Sequence, residues 1–200
     1  GHVDVWAALG DMQRRNQRFV DAISAYDKAV ELVKKPGKDH WVLFYARGIS
    51  HERQKEWPEA EADFRKALEL SPDQPQVLNY LGYSYLEKKI NLDEAMGMIE
   101  RASKARPDDG AITDSLGWAL YQQGHYEKAA PVMEKAIQLM PVDPVVNDHL
   151  GDVYWAVGRT REAEFQWKRS FKPFGAGGWM NLLAPVCRFQ RTSEPPWLIA

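Results

Sequence analysis

The sequence predicts an all-α protein built as an array of stacked helix pairs, and three observations carry that prediction. Gly10, Gly48, Gly82, Gly117 and Gly151 recur at intervals of 38, 34, 35 and 34 residues; about 34 residues is the length of one helix–turn–helix unit in a repeat array. An alanine stands 12 or 13 residues after each glycine, at Ala22, Ala60, Ala95, Ala129 and Ala163. Prolines close successive units at Pro36, Pro72, Pro107 and Pro141. Each glycine lies inside a helical apolar pattern, where it costs roughly 0.8–1.0 kcal/mol relative to Ala, about 4–5 kcal/mol for the five. A chain keeps such a cost where the missing side chain lets a second helix approach closely.

The elements follow in order. Repeats are expected at about 3–36, 41–74, 75–109, 110–143 and 144–172, forming one array over 3–172. The first has Trp6, Leu9 and Gly10 on its first helix and Ala22, Tyr26 and Ala29 on its second. The second has Phe44 and Gly48, then Ala60, Phe64 and Ala67; the third has Leu78, Leu81, Gly82 and Tyr85, then Ala95, Ile99 and Ala102. The fourth has Leu116 and Gly117, then Ala129, Met133 and Ala136, and the fifth has Leu150, Gly151 and Tyr154, then Ala163, Trp167 and Ser170.

Local signals agree. Asp143-Pro144 places a capping residue before a proline suited to a first helical turn. Trp57-Pro58 and Gln74-Pro75 also put proline at helix starts, and Thr160 is the expected N-cap of the last second helix. Pro131 falls about one turn into a helix, which predicts a bend or a late start there. Extra residues lengthen two connections, around Pro36–Asp39 and near Lys88–Leu92. Residues 173–200 leave the pattern. They are expected to form a C-terminal cap, with Trp179, Met180, Leu182, Leu183, Val186 and Phe189 covering the last apolar face, or an extended tail ending in Pro195-Pro196-Trp197.

These residues match the signature W-x2-L-G-x2-Y…A-x3-F…P five times in register, so the chain resembles the tetratricopeptide repeat family over residues 3 to about 172. That resemblance implies a right-handed α-solenoid whose first helices line a concave surface and whose second helices form the outer wall. The stretch from Ala111 to Ser170 also looks like the C-terminal array of large bacterial tetratricopeptide proteins of the cell envelope. Some of those resemble lipoprotein adaptors that hand substrates to carboxyl-terminal processing proteases. The likeness implies a periplasmic or envelope-associated parent.

If first helices line the groove, helical spacing assigns side chains to it. The first unit offers Asp4, Asp11 and Arg14, and the second Tyr45 and Ile49. The third offers Asn79, Tyr80 and Tyr83, the fourth Asp114, Trp118 and Tyr121, and the fifth Asp148, Asp152 and Trp155. The expected surface is aromatic with interspersed carboxylates. Aromatic rings give large contact area at low rotamer cost and are frequent binding anchors. Some tetratricopeptide grooves grip a terminal carboxylate with Lys, Arg and Asn. Here only Asn79 fits, and Asp114, Asp148 and Asp152 would repel a carboxylate. The expected partner is therefore a protein or peptide segment with apolar side chains and basic ones.

Other functions have little support. No phosphate-cradling loop, nucleophile elbow or zinc spacing is present, so no catalytic residue, cofactor or metal is expected. His149 lies beside carboxylates but reads as a hydrogen-bonded histidine. The net charge of −2 argues against a general nucleic-acid surface. No run of eighteen apolar residues predicts a membrane span. Glu/Lys-rich stretches such as Glu59–Lys66 and Arg159–Arg169 read as solvated outer faces. The alternative to a binding module is a structural scaffold or self-association module in an envelope assembly, with the tail around Trp197 as the candidate contact.

Overall fold

The computed structural model describes residues 2–170, and among these every regular element is helical. Ten α-helices form five antiparallel pairs: α1 (His2–Arg15) with α2 (Phe19–Leu32), α3 (Trp41–Arg53) with α4 (Trp57–Leu70), α5 (Pro75–Lys88) with α6 (Leu92–Ala105), α7 (Gly110–Gln122) with α8 (Tyr126–Leu139), and α9 (Pro144–Ala156) with α10 (Thr160–Ser170). A single 3-10 turn, Lys38–His40, occupies the lengthened connection before α3. Each odd helix packs along its own partner, and each even helix packs on the next odd helix. The expected cap or tail over 173–200 lies outside the described residues.

The glycine–alanine pattern is the contact surface within each pair. Ala22, Ala60, Ala95, Ala129 and Ala163 are fully buried. Each repeating glycine faces a large side chain of its partner helix: Tyr26, Phe64, Ile99, Met133 and Trp167 in turn. The approach is closest to the backbone at Gly82. A Cβ there would lie 2.9 Å from Ile99 Cγ1 and 3.0 Å from the Ala95 carbonyl oxygen. The helical cost of glycine is thus offset by burying the large side chain opposite, worth about 1.5–3 kcal/mol for such a residue.

Helix starts follow the local chemistry. Asp143 Oδ1 accepts from the amides of Val145 and Val146 at 2.9 and 3.1 Å, ahead of Pro144 at the first helical position. Asp109 does the same for α7, accepting from Ala111 and Ile112. One expectation needs correcting: Thr160 is already helical and does not precede α10. Of the two outcomes expected at Pro131, the late start is absent, since helix α8 runs from Tyr126 through it. Pro131 is exposed, so its ring points to solvent while the helix continues.

Second helices also clip neighbouring units together. Arg101 donates to the Pro72 carbonyl at 2.8 Å and to Asp73 at 2.6 Å. Lys135 donates to the Pro107 carbonyl at 2.6 Å, and Arg169 to the Pro141 carbonyl at 2.6 Å. The corresponding residue of the second unit, Lys66, bonds Glu69 of its own helix; the connection preceding that unit is the lengthened one. Arg65 and Arg159 likewise do more than hold outer-face pairs. Arg65 donates to the Tyr85 hydroxyl at 2.6 Å. Arg159 donates to Glu134, which accepts from Tyr154. The charged stretches read as merely solvated therefore join successive pairs.

Candidate partner-binding face

Counting from each repeating glycine, the assigned side chains stand three residues before it and one and four residues after it, positions that share one face of a helix, except Tyr80, two residues before Gly82, and Asp4, six before Gly10. The structure sorts them into three environments.

Four tyrosines are half-buried and held by neighbours. Tyr45 packs against Trp41, Phe64 and Tyr80, with ring centroids 5.9–6.1 Å apart. Tyr80 packs on Phe64 at 5.1 Å, and its hydroxyl donates to Glu52 at 3.4 Å. Burial, with Glu52 adding to it, pushes the Tyr80 phenol well above its ordinary range. Burial does the same at Tyr45. Tyr83 packs against the main core. Tyr121 stacks on Trp118 and tilts against Tyr126 at 5.3 Å; burial, then Asp152, raises its phenol to about 12. The phenols of Tyr45, Tyr80 and Tyr121 stay protonated near neutrality and act as hydrogen-bonding ends on apolar bodies.

Asp114 and Trp118 are buried, which corrects the expectation that both face the groove. The cause is His149, on the next odd helix. Its Nδ1 lies 3.1 Å from both Asp114 carboxylate oxygens, and its ring stacks on Trp118. Trp118 also donates from Nε1 to Glu87 at 3.2 Å. Burial works against charge on His149. Asp114 outweighs it, with Asp148 and Asp152 adding, and the imidazole is held above its ordinary value. His149 is the hydrogen-bonded histidine that the sequence suggested.

The remaining residues lie nearer the surface. Trp155 is 42% exposed, its ring 5.7 Å from that of Trp167. Asp148 and Asp152 are half-buried, and Asp152 accepts from Trp167 Nε1 at 3.0 Å. Asn79 is half-buried, with an Oδ1 that has no hydrogen-bond partner among the described residues. Ile49 packs against the core. In the first unit, Asp11 accepts from Tyr26 at 2.7 Å and from Arg14 at 3.2 Å, so both charged groups are engaged with α2 or each other. Asp4 is exposed.

Glu52 and Glu87 escaped the sequence reading. They follow their glycines by four and five residues, and they anchor Tyr80 and Trp118. The one available signal was that spacing. Among the described residues no group of three or more His, Cys, Asp or Glu is placed to hold a metal ion. No helix there is long and apolar enough to cross a membrane.

The paired helices, the glycine contacts and the helix-on-helix stacking define a class, the α-solenoid of helix-pair repeats. Models of the tetratricopeptide repeat match residues 3–73 and residues 114–141, and the chain belongs to the tetratricopeptide repeat family. It is 37% identical over 110 residues to a TPR repeat-containing protein of Pseudomonas aeruginosa, a match covering 55% of this chain and 18% of that protein. It is 25% identical over 203 residues to the peroxisomal targeting signal receptor of Candida albicans, covering 81% and 34%. The chain thus spans about a third or less of these relatives. Among solved structures, pilF of Pseudomonas aeruginosa superposes with a TM-score of 0.72 at 22% identity, covering 89% of this chain and 78% of the other. MamA from Desulfovibrio magneticus gives 0.70 at 20% identity, covering 84% and 93%. At these identities the likeness is one of fold.

Proposed function

We propose that the chain is a non-catalytic binding module that holds a segment of a partner polypeptide on the face of its odd-numbered helices. Tetratricopeptide proteins in general act through protein–protein contacts. One observation supports the finer reading: half-buried or exposed rings recur on four consecutive odd helices, at Tyr45, Tyr80 and Tyr83, Tyr121 and Trp155, and most are braced by a neighbouring ring. Rings fixed before binding lose little rotamer entropy when a ligand arrives, which is how preorganisation contributes to affinity.

Glu52, Glu87, Asp148 and Asp152 lie on or beside that face. A segment that alternates apolar or aromatic side chains with Lys or Arg complements it in shape and sign. Complementary charge raises the association rate and rejects acidic competitors more than it deepens affinity.

The test is selection from a random peptide display library on the purified chain, followed by titration of the enriched peptides against Trp155→Ala and Asp148→Asn variants. Enrichment of basic–apolar sequences is expected, with affinity weakened about tenfold or more by Trp155→Ala, the range of a ring anchor worth over 1 kcal/mol. Asp148→Asn should flatten the salt dependence. Enriched acidic peptides, or affinities indifferent to both substitutions, would place the binding surface elsewhere.

A further inference from the structure

Three rings lie nearly parallel across the junction between α9 and α7. The His149 imidazole stacks on Trp118 with centroids 4.0 Å apart and planes 10° from parallel, and Tyr121 stacks on Trp118 at 4.8 Å and 12°. His149 and Trp118 are buried. Tyr121 is half-buried and belongs to the candidate partner-binding face. A group held inside the array is therefore in contact, through one ring, with a residue that a partner would touch.

His149 stands two residues before its repeating glycine. In the other units that place holds Ala8, Ala46, Tyr80 and Ser115. Tyr80 also reaches back to the preceding odd helix, packing on Tyr45 and donating to Glu52. Of the five, only histidine changes charge near neutrality.

The charged groups around the imidazole come from α7 and from α9 itself. Asp114 of α7 lies 3.1 Å from Nδ1 through both carboxylate oxygens. Asp148 precedes His149, and Asp152 follows it by three residues, a spacing that puts the two side chains on one flank of the helix. The charged groups that α8 and α10 direct at α9 go elsewhere: Glu134 accepts from the Tyr154 hydroxyl at 3.0 Å, and Arg169 donates to Asn147 Oδ1 at 3.0 Å. Glu87 of α5 meets the stack only through Trp118 Nε1. Burial opposes charge on the imidazole, while Asp114, Asp148 and Asp152 all favour it. Asp148 and Asp152 are also the carboxylates that would draw a basic ligand side chain.

Resting on the binding role proposed above, we infer that proton uptake at His149 and capture of a basic segment oppose each other, because the imidazolium and the ligand's cation draw on the same two carboxylates. Where His149 is protonated, a basic segment binds more weakly. As pH rises through the value at which His149 titrates in the fold, its charge leaves and affinity climbs. Neither the carboxylates nor an arginine side chain changes charge in that interval. Coupling between two bound species is reciprocal, so the bound segment must lower the midpoint of His149 by the logarithm of the factor that the proton takes from affinity.

The probe is a synthetic peptide alternating leucine and arginine, blocked at both ends, with a leucine–glutamate peptide as control. Titrated against the purified chain from mildly acidic to mildly alkaline buffer, its affinity should rise about fivefold or more, the low end of coupling between two sites. His149→Gln should bind with an affinity independent of pH. NMR of the wild-type imidazole, with and without saturating peptide, gives a second readout that needs no variant to fold; the midpoint should fall when the peptide is bound. Binding that Trp155→Ala weakens but that is equal at every pH, with the His149 midpoint unmoved, would overturn the inference and leave the binding role standing. A pH dependence that survives in His149→Gln would overturn it too. If the arginine peptide does not bind, or the glutamate peptide binds in its place, the binding role fails and the inference with it.

Discussion

The imidazole of His149 lies flat on the indole of Trp118, with ring centroids 4.0 Å apart and planes 10° from parallel. The contact crosses from α9 to α7, and Trp118 passes it on to Glu87 of α5 and to Tyr121, stacked at 4.8 Å. Three successive odd helices are therefore joined through one ring. A cation against an aromatic face is favourable, more so when water is excluded, so the stack is strongest with His149 protonated. The charge that favours that state comes first from Asp114 on the same helix as Trp118.

That arrangement fixes the sign of a pH effect. His149 holds its proton more tightly folded than unfolded. Its contribution to stability is therefore complete below the ordinary histidine range, about 6.5, and fades as pH rises through the raised folded value. His149→Gln should destabilise the fold by about 3 kcal/mol in mildly acidic buffer, the scale for removing one member of a buried ion pair. The deficit should shrink as the medium becomes alkaline. Urea melts of both proteins across that range would show it, and a deficit independent of pH would mean that the imidazole is neutral in the native state.

Two glycines separate close approach from helix propensity. At Gly82 an added methyl meets Ile99 and the Ala95 carbonyl, and overpacking of that kind costs typically 1–3 kcal/mol. Against this stands the propensity gain of roughly 0.8–1.0 kcal/mol. Gly82→Ala should therefore lower stability by up to about 2 kcal/mol, by the same two scales. Gly97, inside α6, has nothing within 4 Å of the place an added methyl would take, so Gly97→Ala should raise stability by about 0.8–1.0 kcal/mol. Denaturation midpoints that move in the same direction would refute the account of the periodic glycines.

These two positions also show what the residues alone could reveal. The period, the glycine–alanine spacing and the proline stops are local or strictly repeated, so the helix pairs were legible from the amino acids themselves. Gly97 has no counterpart at the repeat interval, and nothing in the structure demands it. The candidate face was legible in part. Helical spacing told which flank Tyr45, Tyr80, Tyr83 and Tyr121 occupy. It could not tell that His149 would reach back and seal Trp118 and Asp114, because that depends on how far one pair rotates on the next. The same limit hid Arg101, Lys135 and Arg169, whose acceptors are carbonyls of the preceding unit.

The two aspartate caps offer a matched pair. Asp109 and Asp143 each accept from two amides at the start of an odd helix. Replacing either by Ala should cost about 1 kcal/mol, and by Asn only a few tenths. The sites are 34 residues apart on separate helices, so the losses in the double variant should add within about 0.5 kcal/mol. Thermal melts of the single and double variants test both statements. A single variant at wild-type stability would show that water satisfies those amides equally well.

The turns between paired helices carry one left-handed residue each at a repeated place: Gln17, Lys55, Lys89, Gly124 and Gly158, all with φ between 55° and 79°. The third turn holds the extra residue and a second left-handed position at Asn91. Only the fourth and fifth units place glycine there. A side chain with Cβ in this conformation costs roughly 1–2 kcal/mol, while glycine gives back about 0.4–1 kcal/mol through the larger entropy of its unfolded chain. Lys55→Gly should consequently stabilise by about 0.5–1 kcal/mol, and Gly124→Lys should destabilise by a similar amount. Lys55 is exposed and Gly124 has open space around the added atom, so packing does not confuse the comparison. Urea midpoints for the two variants should shift in opposite directions, and a loss of stability in Lys55→Gly would mean that its side chain does more than tolerate the turn.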